Sequence, residues 1–129
     1  MEYCAGGTVE DWRKDSPLEL RKHAREIMFQ VAQGLRVMHD DDDEYGKLAH
    51  GDIKPENICL RKALSRGVDV ALIDLGTAVE FHYPLKVKFP GTTLYFSPER
   101  FCIEKGGSWD SKDDIWALGL VGLQMLQSW

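Results

Sequence analysis

A chain of 129 residues is one domain or a piece of one. With 43% hydrophobic and 29% charged residues it is excluded from the low-complexity disordered class, and its net charge of −5 disfavours a phosphate-backbone or anionic-membrane partner. The longest apolar-rich stretch covers residues 115–126, well short of the ~20 residues that span a bilayer.

In chain order, residues 1–5 read as a short strand that ends at Gly6 and Gly7, and the opening Met-Glu-Tyr-Cys-Ala-Gly-Gly has no signal-peptide pattern. Cys4, Cys59 and Cys102 are odd in number and far apart, and none forms a C-x-x-C pair. They read as reduced thiols with no support for zinc.

A long helix is expected over residues 17–39. Ser16, Pro17 and Glu19 form a capping-box pattern, and Leu20, Ala24, Ile27, Met28, Val31, Leu35 and Met38 make one apolar stripe. The run Asp40-Asp41-Asp42-Asp43-Glu44 lacks the alternation and turn glycine of a calcium loop, so it reads as a solvated acidic loop. Residues 58–61 and 68–73 read as a hairpin. From Asp74 to about Gly107 the chain is rich in proline and glycine and reads as a long irregular stretch. A last helix over residues 111–127 opens with the capping pattern Ser111-Lys112-Asp113-Asp114 and is apolar all round, so it belongs inside a core.

Chemistry concentrates in His50-Gly51-Asp52-Ile53-Lys54-Pro55-Glu56-Asn57. Phosphoryl transfer needs a carboxylate near the acceptor hydroxyl, a cation near the moving phosphate and an oxygen ligand for magnesium. This stretch resembles the H-R-D-x-K-x-x-N catalytic loop of Ser/Thr protein kinases in its K-P-E-N form. Asp74-Leu75-Gly76 resembles that family's D-F-G metal motif. Residues 91–99, reading G-T-T-L-Y-F-S-P-E, resemble the end of its activation segment, which would span residues 74–99. Asp114-Ile115-Trp116-Ala117-Leu118-Gly119 is similar to D-x-W-x-x-G at the start of the large lobe's central helix, and residues 1–7 look like the hinge between lobes.

The resemblance covers essentially the whole chain. It implies an α+β fold, the front part of a kinase large lobe, mainly helical with a small hairpin. It implies Asp52 as base, Lys54 steadying the γ-phosphate, and Thr92 contacting both. Asn57 and Asp74 would hold Mg²⁺. Glu2 and Cys4 would face the adenine edge of ATP, Thr8 the ribose, and Cys59 the floor under adenine. Asp114 would brace the catalytic loop, while His50 and Leu75 would join an apolar spine. His23, His39 and His82 match nothing functional and read as surface or local packing. The expected activity is ATP-dependent phosphorylation of Ser/Thr in protein substrates, inside the cell, in the cytoplasm with the nucleus left open, with no nucleic-acid partner and no membrane span. Oligomeric state is left open.

Departures set a rival. Gly51 stands where the family has an arginine that receives an activation-loop phosphate, which makes control by that route less expected. Thr77, Tyr83, Thr92 and Thr93 are the candidate acceptors. No glycine-rich G-x-G-x-x-G loop and no small-lobe lysine precede residues 1–7. The chain therefore reads as a fragment with negligible activity and ATP binding weaker than millimolar on its own, its helix 115–126 partly bare. The alternative function is a pseudokinase-like binding or scaffold protein; a calcium-binding module is a remote third.

Overall fold

Thr8, rather than Ser16, makes the first capping box. The computed structural model describes residues 4–40, 47–64, 67–81, 84–86 and 90–127. The Thr8 hydroxyl accepts from Asp11 N–H at 3.2 Å, and the Asp11 carboxylate accepts from Thr8 N–H at 2.8 Å. That reciprocal pair opens α1 (Val9–Asp15), a helix the sequence reading passed over. Ser16 makes no side-chain cap bond at the start of α2 (Pro17–His39). It also closes α1, its N–H donating to the Trp12 carbonyl at 2.8 Å, and its ψ of 55° leaves it outside the extended backbone of an N-cap.

Helix α2 is about 35 Å long and lays its expected stripe inward. Leu20, Ala24, Ile27, Val31 and Leu35 are buried, with Met28 and Met38 partly so. After the short strand β1 (Leu48–Ala49) the chain enters residues 50–57. A 3-10 turn, Pro55–Asn57, then releases it into the hairpin of β2 (Ile58–Leu64) and β3 (Gly67–Leu72). The strands are antiparallel, Ile58 opposite Leu72 and Leu60 opposite Val70, with an irregularity between Leu60 and Lys62. Gln30 of α2 fixes the hairpin's edge. Its amide nitrogen donates to the Val68 carbonyl at 2.7 Å and its amide oxygen accepts from Val70 N–H at 2.8 Å.

Among the described residues, the stretch expected to be irregular carries only short elements. Strand β4 (Val79–Glu80) pairs antiparallel with β1. A helical turn, α3 (Pro98–Phe101), starts at Ser97, whose hydroxyl accepts from Arg100 N–H at 3.3 Å. Ala49, Phe81, Ile103 and Trp109 form a second small core here. Pro98 opens α3, and Gly106 closes the 3-10 turn Ile103–Lys105.

Helix α4 (Lys112–Leu126) packs Ala117, Leu118, Val121 and Met125 into the main core with α2. Its other face is bare as expected: Ile115 is 52%, Leu123 55% and Leu126 51% exposed. Ser111 is helical in backbone and makes no cap bond, so that expectation fails. The N–H of Lys112 goes instead to the Asp110 carboxylate at 2.9 Å, which frees Asp113 and Asp114 for work elsewhere. Among the described residues no helix is long and apolar enough to cross a membrane.

The cysteine reading is corrected. Cys4 and Cys59 form a disulfide, with Cα atoms 5.7 Å apart, while Cys102 is free and exposed. Distance along the chain misled. Gly6 N–H donates to the Leu60 carbonyl and Leu60 N–H to the Gly7 carbonyl, both at 2.8 Å, which lays the chain start beside β2. Of residues 1–5, Cys4 and Ala5 are not strand, and residues 1–3 lie outside the described residues, as do 41–44 of the acidic run, His82 and Tyr83. Alkylation of the unreduced protein should mark Cys102 alone, with Cys4 and Cys59 joining only after reductant. Full labelling of all three beforehand would contradict the pairing.

Candidate functional site

The loop between β1 and β2 is held from below by α4. Asp114, fully buried, accepts from the backbone N–H of His50 at 2.8 Å and of Gly51 at 2.9 Å. Its second partner at Oδ2 is His39 Nε2, 2.8 Å away. His50 is buried. Its Nδ1 accepts from Asp52 N–H at 3.2 Å, which assigns the proton to Nε2, and that proton is donated to the Ile73 carbonyl at 3.0 Å. One carboxylate and two imidazoles thus fix the loop against α2, α4 and the end of β3.

The braced loop turns three side chains, Asp52, Lys54 and Asn57, toward a point that Thr92 reaches from a second segment. Asp52, 8% exposed, accepts from Thr92 N–H at Oδ1, 3.0 Å, and lies 3.3 Å from Lys54 Nζ at Oδ2. Lys54 Nζ also donates to the Thr92 hydroxyl at 2.8 Å. Asn57 donates its amide to the Asp52 carbonyl at 2.8 Å and to Asp52 Oδ2 at 3.2 Å. Burial pushes the Asp52 carboxyl up, but hydrogen bonding from Thr92 and the charge of Lys54 outweigh it and hold the group below the usual carboxylate value. The result is an ionised carboxylate beside a cation on a partly open face.

Asn57 spends both amide contacts on Asp52, so its amide oxygen stays uncommitted among the described residues. Asp74 has a left-handed backbone, φ 60°, unusual for a residue with a side chain, and is exposed. One carboxylate oxygen accepts from Gly76 N–H at 3.3 Å, and the other is uncommitted among the described residues. A carboxamide oxygen and a carboxylate oxygen are hard donors of the kind Mg²⁺ takes alongside phosphate and water, so these residues fit that ion.

Other sequence assignments fare differently. Leu75 is 57% exposed and plugs no core among the described residues. The tight turn Leu75–Thr77 puts it on the outer edge, and it is the Ile73 carbonyl that meets His50. Thr8 uses its hydroxyl in the cap of α1, and Cys4 and Cys59 are spent on each other. Glu2 lies outside the described residues.

Sequence reading missed His39, whose position one helical turn after Leu35 on the buried stripe was the available signal. It also missed Arg100, which is 1% exposed and bonded to Asp113 at 2.8 Å. Asp113 in turn accepts from Ser97 N–H at 2.8 Å. No periodicity or spacing marks a buried arginine in advance.

Comparison with known proteins points to one family. The family model described as protein kinase domain matches residues 1–128. The MAP kinase kinase skh1/pek1 of Schizosaccharomyces pombe is 36% identical over 129 residues, covering 97% of this chain and 32% of that protein. Serine/threonine-protein kinase dst4 of Dictyostelium discoideum is 32% identical, over 99% of this chain and 25% of its own length. Mitogen-activated protein kinase kinase 2 of Arabidopsis thaliana is 35% identical, over 96% and 32% respectively. The chain therefore spans about a quarter to a third of these relatives.

The Asp52 environment makes a pH prediction. Its carboxyl is depressed on folding, so its contribution to stability is complete above the ordinary carboxylate pKa and is lost as pH falls through the depressed folded value. Thr92→Val removes the hydroxyl and should move the Asp52 titration upward, read as the ¹³C shift of its carboxyl carbon. An unmoved titration would show that the Thr92 hydroxyl does not help set it, the backbone N–H being kept in the variant.

Proposed function

Because the chain belongs to the protein kinase family, we propose that these residues form the phosphoryl-transfer centre of an ATP-dependent protein serine/threonine kinase. The observation that carries this reading is the convergence of Asp52, Lys54, Asn57 and Thr92 within direct hydrogen-bonding contact. A purely structural polar turn has no need of an ionised, partly open carboxylate beside a lysine ammonium.

In the reaction, Asp52 accepts the proton of a serine or threonine hydroxyl on a protein substrate. The freed oxygen attacks the γ-phosphorus, the bond from that phosphorus to the β–γ bridging oxygen breaks, and ADP departs. Lys54, seated between Asp52 and the Thr92 hydroxyl, offers its remaining hydrogen-bonding capacity to the oxygens of the moving group. Thr92 holds Asp52 through its backbone N–H and Lys54 through its side chain, so both reacting groups keep one geometry. Asn57 and Asp74 would hold Mg²⁺, which when bound neutralises charge on the ATP phosphates. The resemblance assigns the nucleotide to Glu2, which lies outside the described residues, and to Cys4, Thr8 and Cys59. The name of one relative, a serine/threonine-protein kinase, supports the acceptor class.

The binding-or-scaffold alternative rests on Gly51 and Leu75. Gly51 leaves the Asp52 contacts intact, and Leu75 stands apart from them, so neither observation outweighs the assembled centre.

In the whole protein, Asp52→Ala should lower kcat by ~10²–10⁴ with little change in KM for ATP. Undiminished phosphorylation of a protein substrate by that variant would sink the assignment.

A further inference from the structure

Arg100 is the most deeply buried cation among the described residues, and its contacts point in three directions. Nη1 donates to the Gly51 carbonyl and to Asp113 Oδ2, both at 2.8 Å. Nη2 donates to the Pro90 carbonyl at 3.0 Å. The guanidinium carbon lies 3.7 Å from the centre of the Phe96 ring and 4.2 Å from that of Trp109. One planar group therefore joins the loop carrying Asp52, the segment leading to Thr92 and the start of α4.

The neighbours are shaped to admit it. Gly51 sits at φ 82°, where side chains are strained, and a Cβ there would come within 2.9 Å of the Thr77 carbonyl oxygen. A Cβ on Gly91 would lie 2.6 Å from the Gly51 carbonyl oxygen and 2.9 Å from Arg100 Nη2. Both residues facing the guanidinium across this junction are thus bare backbone. Packing alone does not call for a cation here, since a buried ion pair can often be replaced by apolar residues without loss of stability. Lysine, with one tetrahedral ammonium, cannot reproduce a planar fork that both donates to separate acceptors and stacks on rings.

We infer that Arg100 is a positioning residue for phosphoryl transfer: it ties the Gly51 and Pro90 carbonyls together and so keeps Thr92 N–H on the Asp52 carboxylate, using a charge built into α3. The inference rests on the proposed reading of Asp52. It places the holding cation outside the catalytic loop, where position 51 is a glycine and supplies none. The register of the activation segment near Thr92 then depends on this internal arginine.

The test uses the whole protein, with kinetics and amide hydrogen exchange measured side by side. Arg100→Met leaves Asp113 buried and uncompensated, so it is combined with Asp113→Asn to keep the protein folded. Gly91→Ala strains the same junction from the other side with Arg100 present. Both variants should lower kcat by roughly 10–10² with KM for ATP within about twofold, the scale expected when a reacting group is displaced by about 1 Å. Both should speed exchange at Thr92 N–H more than at amides of α2. Arg100→Lys should recover little of the loss. The inference is overturned if Thr92 exchange and kcat stay at the wild-type level in both variants while Asp52→Ala abolishes turnover. It is also overturned if Arg100→Lys restores full kcat, which would make charge alone sufficient. Full turnover by Asp52→Ala would instead overturn the underlying reading of the site, and an accelerated Thr92 amide would still support the tie.

Discussion

The geometry of this protein depends on what the Asp114 carboxylate does. It is fully buried at the start of α4 and takes the backbone N–H groups of His50 and Gly51 together with the His39 ring. Backbone donors buried without a partner cost about 1–3 kcal/mol each, so removing this acceptor penalises the loop twice. Three elements distant in sequence meet at one side chain: the end of α2, the loop at residues 50–57 and the first turn of α4. Asp113 does the same work one residue earlier for Ser97 and Arg100. Two adjacent carboxylates thus anchor the loop that carries Asp52 and the segment that carries Thr92.

Function follows from that anchoring. Asp52, Lys54, Asn57 and Thr92 come from two segments, and their mutual hydrogen bonds need both segments held to within tenths of an ångström. Asp74, the exposed Leu75 and the bare face of α4 show a different character. The cluster of Asp52, Lys54, Asn57 and Thr92 is self-contained among the described residues. Cys4, Thr8 and Cys59 lie apart from it, Thr8 capping α1 and the two cysteines joined to each other.

Much of this was legible in the sequence, for identifiable reasons. The stripe of α2 was readable because Leu20, Ala24, Ile27, Val31 and Leu35 repeat at helical spacing and all bury. The centre was readable because the motif residues carry their chemistry in their type and order. Helix α1 was missed because its cap, Thr8 with Asp11, precedes only one buried residue, Val9, and so leaves no periodic stripe. Ser16 and Ser111 have the right residue type for caps, but tertiary context placed their backbones elsewhere. The Cys4–Cys59 pair, Arg100 and the role of His39 are contacts between segments far apart in sequence, and no local pattern encodes such contacts.

Helix α4 imposes the shape of the loop at residues 50–57 through Asp114. Amide hydrogen exchange at His50 and Gly51 tests it most directly, comparing the native protein with Asp114→Ala. Both amides should exchange as slowly as the core of α2 in the native protein, and far faster in the variant. Exchange at unprotected-loop rates in the native protein, or unchanged protection in the variant, would contradict it.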